Sequence, residues 1–350
     1  MDLKLLQETL DDLGEPSYRF DQVWGWTAKG VQSYDDMGNV PLAVREALTE
    51  RVPFSTLTLT NQQESQIDGT VKALFHTTKD NRPVEAVLMR FKDGRRSLCL
   101  SSQSGCPLTC TFCATGKMKF GRNLTHSEIL DQALHFRRMS EVDHVVFMGM
   151  GEPMMNIDNV LETCRKLPDV GVTNRRTAIS TVGWKPGIER LIDETMPVRL
   201  ALSLHAPEDE LRTQIMPVNE RYPMEDVLDA CRRYGEKTNR DVFIEYVMLE
   251  HTNDELHHAH QLGRLLDPRR FKVNLIPYNP TGSIYDASSR NQIQDFRDVL
   301  ETYGLRTTVR VNRGRDIDGA CGQLAAKALA DAGDDGAEDA AAAAFLSDAA

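Results

Sequence analysis

Three cysteines in one short segment are the residues whose types and spacing point most directly to chemistry. Cys106, Cys110 and Cys113 lie in SGCPLTCTFCATG, where they are spaced C-x3-C-x2-C. Thiolates are the soft ligands that iron–sulfur clusters require, and three of them can hold three irons of a four-iron cluster. The fourth iron would then lack a protein ligand. The alternative is a Zn²⁺ site completed by His126 or Cys99, although zinc sites favour C-x2-C pairs.

Two other motifs contain residues with chemical potential. In HVVFMGMGEPMMN, Gly151 and Glu152 follow a short apolar run, where a bare backbone admits a ligand and a carboxylate can accept its ammonium group. Near the C-terminus, Cys321 lies between small residues in GACGQ. A cysteine in such a setting is either closely approachable or a small buried packing residue.

The elements that must position these motifs alternate between strand and helix. Repeated βα units with apolar strands predict a parallel sheet covered by helices. Polar groups follow nearly every strand, which favours an incomplete α/β barrel of six βα units over a doubly wound sheet. The predicted strands are 96–101, 144–149, 177–182, 198–204, 242–249 and 272–278, and the predicted helices lie near 127–139, 157–168, 186–194, 223–238, 254–267 and 290–303.

The regions outside these units differ in composition. Residues 1–50 show helical spacing of apolar residues, whereas residues 55–85 are Thr- and Gln-rich and read as weak strands within a linker. Asp93-Gly94 predicts a hairpin. The predicted domains are therefore a mainly helical N-terminal region with linker over 1–84, the barrel with its C-terminal cysteine segment over 85–330, and a disordered acidic, Ala-rich tail over 331–350.

Composition bounds the class of protein. The 350 residues carry a formal net charge of −11, and the six acidic groups of residues 331–350 account for more than half of it. Without them the charge is −5, so nucleic-acid binding must use local patches. One such patch is predicted from four arginines close to Cys321, namely Arg306, Arg310, Arg313 and Arg315. The acidic N-terminus and the lack of a long apolar run predict a cytoplasmic protein with reduced cysteines and no membrane partner.

Several motifs in order give the sequence a specific resemblance. The cysteine loop and the Gly-Glu motif resemble those of radical S-adenosylmethionine (SAM) enzymes. Together with LSSQSGC, SLHAP, IPYNP and GACGQLA, they make the chain similar to the RlmN/Cfr family of adenine-carbon RNA methyltransferases. The resemblance runs from LGEPSYRFDQVWGW near residue 13 through Cys321. It implies a radical SAM barrel, a 4Fe–4S cluster and SAM, with two SAM molecules consumed in each turnover.

The resemblance also implies a role for individual residues. Cys106, Cys110 and Cys113 match the cluster ligands, and Cys321 matches the cysteine that carries the methyl group to the substrate. Cys99 matches a second cysteine that releases the product. Glu85 matches the residue proposed as proton acceptor. The positions that hold SAM in the family are matched by Gly151, Glu152, Ser180, Ser203, Leu204, His205 and Asn279. For Glu85, an ordinary charged strand residue is the alternative.

The implied reaction is methylation of adenine C2 in 23S ribosomal RNA, before full ribosome assembly, with tRNA as a further candidate substrate. Cys321 would first be methylated and would then bond transiently to the adenine, and Cys99 would attack the Cys321 sulfur to free the product. An electron donor such as flavodoxin is expected. Two alternatives remain open from sequence: C8 methylation, which confers antibiotic resistance, and a non-catalytic iron–sulfur RNA-binding protein.

Overall fold

The computed structural model describes residues 1–194 and 196–324. The helices are α1 (Leu3–Asp12), α2 (Tyr18–Lys29), α3 (Leu42–Arg51), α4 (His126–Met139), α5 (Ile157–Val170), α6 (Lys185–Asp193), α7 (Asp209–Ile215), α8 (Met224–Thr238), α9 (Leu256–Leu265) and α10 (Arg290–Thr302). The strands are β1 (Leu57–Glu64), β2 (Val71–Thr77), β3 (Pro83–Arg90), β4 (Arg96–Cys99), β5 (Gln103–Ser104), β6 (Arg122–Asn123), β7 (His144–Phe147), β8 (Thr177–Thr181), β9 (Arg199–Ser203), β10 (Val242–Met248), β11 (Phe271–Pro277) and β12 (Thr307–Val309).

Within these described residues, ten strands form one sheet in the order β1-β2-β3-β4-β7-β8-β9-β10-β11-β12. All neighbouring pairs from β4 to β12 are parallel. Parallel neighbours need a crossover connection, and each of these connections contains at least one helix. The sheet therefore holds six βα units and a final strand. This arrangement confirms the predicted incomplete α/β barrel.

The two faces of the parallel strands have different roles. Leu200 and Leu202 of β9 are fully buried in the main apolar core, which also contains Leu191 of α6 and Tyr234 of α8. Successive strand residues point to opposite faces, so Ser203 faces away from these helices. Burial of the leucines thus fixes the register that directs the polar side chains inward.

The N-terminal helices pack on one another and on the barrel. Asp2 caps α1, where its carboxylate accepts hydrogen bonds from two backbone N–H groups. Leu6, Leu10, Val23 and Leu48 form the centre of a separate apolar cluster within α1–α3. Trp24 of α2 donates from Nε1 to Asp169 at 2.7 Å and thereby joins these helices to α5.

The sequence prediction of a linker over residues 55–85 is wrong in part. This segment forms β1 and β2, which extend the sheet in antiparallel fashion through β3. The apolar residues of β2 are buried on the sheet, whereas β1 is a nearly fully exposed edge strand. The sequence of β1 alternates only weakly because the strand lies at the edge of the sheet, where nearly all its side chains are exposed and bury little apolar area. A domain boundary at residue 84 stays a prediction.

Three further predictions concern a membrane span, the C-terminal tail and the hairpin at Asp93-Gly94. The described helices include none that is long and apolar enough to span a membrane. The predicted acidic tail over residues 331–350 lies outside the described residues. The hairpin predicted at Asp93-Gly94 is confirmed, since β3 and β4 are antiparallel and Gly94 has a φ of +88°.

Candidate active site

A cavity of about 140 Å³ opens where the parallel strands end. The carboxyl ends of barrel strands are the usual site of function in this architecture. Ten of the residues singled out from the sequence line this cavity, namely Cys106, Cys110, Cys113, Gly151, Glu152, Ser180, Ser203, His205, Asn279 and Cys321. The structure thus brings together residues that are up to 215 positions apart in the sequence.

The cysteine loop follows β5 and returns through β6, with which β5 forms a two-residue antiparallel ladder. Gly105 permits the turn into the loop, because it has a φ of +74° and a Cβ there would lie 2.3 Å from the Lys119 carbonyl oxygen. Burial, followed by the charges of neighbouring thiols, raises the pKa of Cys106 well above its ordinary value and that of Cys110 to about 12. Burial therefore favours the protonated form of these thiols in the chain without a bound metal.

The donor set fits a cluster better than a single ion. The loop supplies three thiols, which is one ligand fewer than a structural zinc site takes. A zinc site needs all its ligands around one point, whereas a four-iron cluster takes one thiolate on each of three irons. Cys106, Cys110 and Cys113 all line the cavity, and together they would hold such a cluster beside Glu152.

Glu152 is held in place by backbone donors from two strand ends. Its Oε1 accepts from the Met154 N–H and its Oε2 from the Val182 N–H, both at 2.9 Å. Burial raises the pKa of Glu152 to about 7, although these hydrogen bonds act in the opposite direction. A buried carboxylate with this environment is suited to accepting a cationic group such as an ammonium.

Gly151 brings the backbone close to a neighbouring loop. Its φ is +94°, and a Cβ at this position would lie 2.5 Å from the Cβ of Gln103. Gln103 in turn accepts from the Glu152 N–H through Oε1 at 2.8 Å. The position therefore requires glycine on grounds of both conformation and space.

The SLH segment at the end of β9 places its residues in different directions. Ser203 lines the cavity with Ser180, and their Oγ atoms are 3.4 Å apart. His205 also lines it and accepts from the Val247 N–H through Nδ1 at 3.0 Å. Burial and the charge of Arg212 lower the pKa of His205 to about 3, so its ring is neutral. Leu204, by contrast, is fully buried in the main core and does not line the cavity.

Cys321 lies at the junction of two cavities. It lines the main cavity and also a smaller neighbouring one, which Cys99 lines as well. Asn279 donates from Nδ2 to the Cys321 carbonyl oxygen at 3.2 Å. Burial raises the pKa of Cys99 to about 12 and raises that of Cys321, while the nearby positive charge of Arg310 opposes both shifts. Arg310 lines the smaller cavity with the two cysteines.

Glu85 is buried on β3 and does not line either of these cavities. Its Oε1 lies 3.4 Å from Lys72 Nζ. Val87, two residues along the strand and so on the same face, is the register partner of Cys99. Glu85 therefore lies near the smaller cavity, with its carboxylate paired to a lysine.

The patch predicted from four arginines is not a single surface. Arg306 and Arg310 flank β12, so roughly 13 Å of extended chain separates them. Arg306 pairs with Asp241, whereas Arg310 lies beside the two cysteines. Arg313 is 3.9 Å from Asp68. An extended strand distributes neighbouring residues over its two ends and faces, which the sequence spacing alone does not reveal.

Two further residues that organise the site were not found from the sequence. Arg212 is fully buried and donates to the backbone carbonyls of Val182, Ser203 and Leu204, so it ties the ends of β8 and β9 together. Nothing in the charged segment DELRTQI indicates this role. Glu245 lines the cavity and accepts from Asn274 Nδ2 at 2.8 Å. In the sequence, the indication that Glu245 belongs to the site is the position of a carboxylate inside the otherwise apolar strand VFIEYVM.

Comparisons with known proteins agree with this geometry. Residues 100–262 match the model of the Radical SAM superfamily. The chain is 44% identical over 335 residues to a "Probable dual-specificity RNA methyltransferase RlmN" of Thermus thermophilus, covering 93% of each chain. It is 43% identical to a protein of the same description from Salinispora tropica, covering 93% of this chain and 91% of that relative.

A solved structure extends the match to the whole fold. The crystal structure of a radical SAM methyltransferase from Sphaerobacter thermophilus superposes with a TM-score of 0.87 at 39% identity. It covers 93% of this chain and 98% of the other. Superfamily membership implies a 4Fe–4S cluster and SAM, which the cavity residues fit. With this identity and coverage, the chain belongs to the RlmN family of radical SAM RNA methyltransferases.

Proposed function

We propose that this chain methylates C2 of an adenine in 23S ribosomal RNA before the ribosome is fully assembled, and also acts on tRNA. The RNA specificity rests on the relatives, which are described as dual-specificity RNA methyltransferases. Membership of a family of enzymes argues against the non-catalytic alternative. The observation that best supports a two-thiol mechanism is that Cys321 lines both the main cavity and the cavity of Cys99.

The main cavity is proposed to hold the cofactors. Cys106, Cys110 and Cys113 would bind the cluster, and the carboxylate of Glu152 would receive the ammonium group of SAM. The remaining proposed SAM contacts are Gly151, Ser180, Ser203, His205 and Asn279, together with the backbone of Leu204. When bound, the cluster and two SAM molecules per turnover supply the electron, the radical chemistry and the methyl group, with a protein such as flavodoxin as electron donor.

Cys321 and Cys99 act in different steps of the proposed reaction. The sulfur of Cys321 carries the methyl carbon to the adenine ring, so that protein and RNA are joined covalently for part of the cycle. Glu85 takes up the proton that leaves the ring, for which its carboxylate must leave Lys72. The Cys99 thiolate then attacks the Cys321 sulfur and breaks its bond to the transferred carbon, which leaves with the electron pair and takes up a proton to complete the methyl group. A Cys99–Cys321 disulfide remains. Reduction of that disulfide prepares the protein for another turnover.

The charges around the smaller cavity support this assignment. Burial disfavours both thiolates, but Arg310 provides a positive charge next to both sulfurs. A cation beside a thiol promotes the thiolate, which is the nucleophile in displacement and in thiol exchange. The helices of residues 1–51, which pack on the barrel through Trp24, are proposed to hold the RNA while the adenine enters the cavity.

Nucleoside mass spectrometry tests the proposed function. RNA fragments from the large ribosomal subunit and tRNA are incubated without oxygen with the reconstituted protein, SAM and a reductant, then digested. We expect 2-methyladenosine from both RNAs. 8-Methyladenosine would instead support the alternative reaction, and the absence of a methylated adenine would contradict the proposal.

A further inference from the structure

A second concave surface lies at the opposite end of the barrel from the candidate active site. This rear cleft has a volume of about 460 Å³ and lies where the parallel strands begin. It is lined by Arg175, Pro197, Arg199, Thr238, Asn239, Arg240, Asp241, Phe243 and Lys272. On β10, Phe243 lines the rear cleft, whereas Val247 lines the active-site cavity.

The rear cleft is strongly positive in a protein of negative net charge. Its lining holds four cations against the single carboxylate of Asp241, for a local charge of +3. Asp241 is already paired with Lys272 and lies 3.6 Å from Arg306. Among the described residues, Arg175, Arg199 and Arg240 have no carboxylate within ion-pair distance.

These arginines affect one another. Burial, followed by the positive charge of Arg175 and then of Arg199, lowers the pKa of Arg240. Arg175 and Arg199 are exposed, and Arg240 is half-buried. Like charges brought together without a counterion raise the free energy of the folded protein, so a ligand that neutralises them binds favourably.

The chemistry of the rear cleft matches a phosphate group. Arginine presents a planar set of donors that suits phosphate oxygens, and three guanidinium groups here lack a carboxylate partner. Half or more of the hydrogen bonds that proteins make to nucleic acids go to phosphate and sugar, and such contacts fix orientation. We propose that the rear cleft binds a backbone phosphate of the RNA substrate, away from the nucleotide that reacts.

The position of the rear cleft defines which RNAs could use it. The seven residues of β10 span roughly 23 Å, and helices cover the outside of the sheet. An RNA that occupies both the active-site cavity and the rear cleft must pass around this helical layer. Only a large, folded RNA can do so, whereas a short stem-loop reaches the active site alone. The inference rests on the RNA methyltransferase activity of the family and not on the roles assigned to Cys99 and Cys321.

A matched pair of variants tests the proposal. The rear variant combines Arg175→Gln, Arg199→Gln and Arg240→Gln. The control combines Arg165→Gln, Arg232→Gln and Arg297→Gln, which removes the same charge from arginines that are ion-paired on outer helices. Fluorescence anisotropy measures the affinity of the anaerobic full-length proteins for a long ribosomal RNA fragment and for a short stem-loop over a range of NaCl concentrations.

We expect the rear variant to bind the long RNA about tenfold more weakly, and the slope of log K against log salt to fall in magnitude by roughly 1 for the one lost phosphate contact. Affinity for the stem-loop, and methylation of it, should match the control. An unchanged slope would overturn the proposal. This holds even if thermal denaturation shows that the rear variant is less stable, because the three arginines would then have a purely structural role.

Equilibrium dialysis with inorganic phosphate distinguishes the source of the phosphate group. Arginine-dependent binding of inorganic phosphate without any change in RNA affinity would assign the rear cleft to a small anion and overturn the RNA proposal. A different result contradicts the proposed function, namely that the wild-type protein methylates neither RNA. Binding to the rear cleft can be measured in that case as well.

Discussion

The two ends of the barrel differ in how far their ionisable groups are exposed to solvent. At the carboxyl ends of the strands, the ionisable groups are buried or half-buried, and desolvation raises the pKa of Cys99 to about 12 and that of Glu152 to about 7. At the opposite end, the guanidinium groups of Arg175 and Arg199 are exposed to solvent. The first environment changes the reactivity of the groups it holds, whereas the second presents fixed charge to solvent.

This difference suggests how one scaffold separates reaction from recognition. Water must be limited where thiols and carboxylates exchange protons, since a low dielectric strengthens each local interaction. Recognition of a polyanion needs only accessible cations and works through solvent. The strands between the two ends, with their apolar outer face, keep the two tasks apart.

Removal of a proposed cluster ligand should have the largest effect. Wild-type protein reconstituted without oxygen should bind about four irons per chain and show the broad visible absorbance of iron–sulfur charge transfer. Cys110→Ala should lose both that absorbance and all methylation. Cys164→Ala is the control, because Cys164 is equally buried but lies in the apolar core of α5. Stoichiometric zinc without iron in the wild-type protein would contradict the account of this end of the barrel.

A substitution that loosens the ends of the strands should have an intermediate effect. Arg212→Met leaves several buried carbonyls without their charged donor, so we expect a loss of about 2–4 kcal/mol in the free energy of unfolding. Arg232→Met, which breaks only an exposed ion pair, should change it by less than about 0.5 kcal/mol. Urea denaturation of the two variants measures this difference. Equal stabilities would show that Arg212 does not hold β8 and β9 together.

At the rear end, a single substitution should have the smallest effect on the fold. Arg199 is exposed and makes no ion pair among the described residues, so Arg199→Gln should alter the free energy of unfolding by less than about 0.5 kcal/mol. Iron content should equal that of the wild type. A loss of iron in this variant, measured after reconstitution, would mean that the two ends of the barrel are coupled.

The active-site end of the barrel could be predicted from the sequence, whereas the rear cleft could not. Motifs with unusual spacing, such as the three cysteines and the Gly-Glu turn, predicted the active-site end because each combines a chemical group with a local constraint. Arg175, Arg199 and Arg240 belong to three different βα units, so only the pairing of β8, β9 and β10 in the sheet brings them together. The same reason explains Arg212, whose carbonyl partners come from two strands.

The edge of the sheet shows a different limit. The residues of β1 are exposed except Leu57, so the alternation that identifies a strand is absent, and only pairing with β2 makes this segment regular. The apparent arginine patch failed as a prediction for a similar reason. Spacing along a chain does not indicate which end of a strand a side chain occupies.

The central claim is that Cys321 forms a transient bond to RNA that Cys99 resolves, and trapping of that adduct tests it most directly. Labelled RNA is incubated with Cys99→Ala, Cys321→Ala and the double variant, and denaturing gels then separate free from protein-bound RNA. We expect a protein–RNA adduct to accumulate with Cys99→Ala and to be absent from both proteins that lack Cys321. Turnover at the wild-type rate by Cys99→Ala, without any trapped species, would contradict the account.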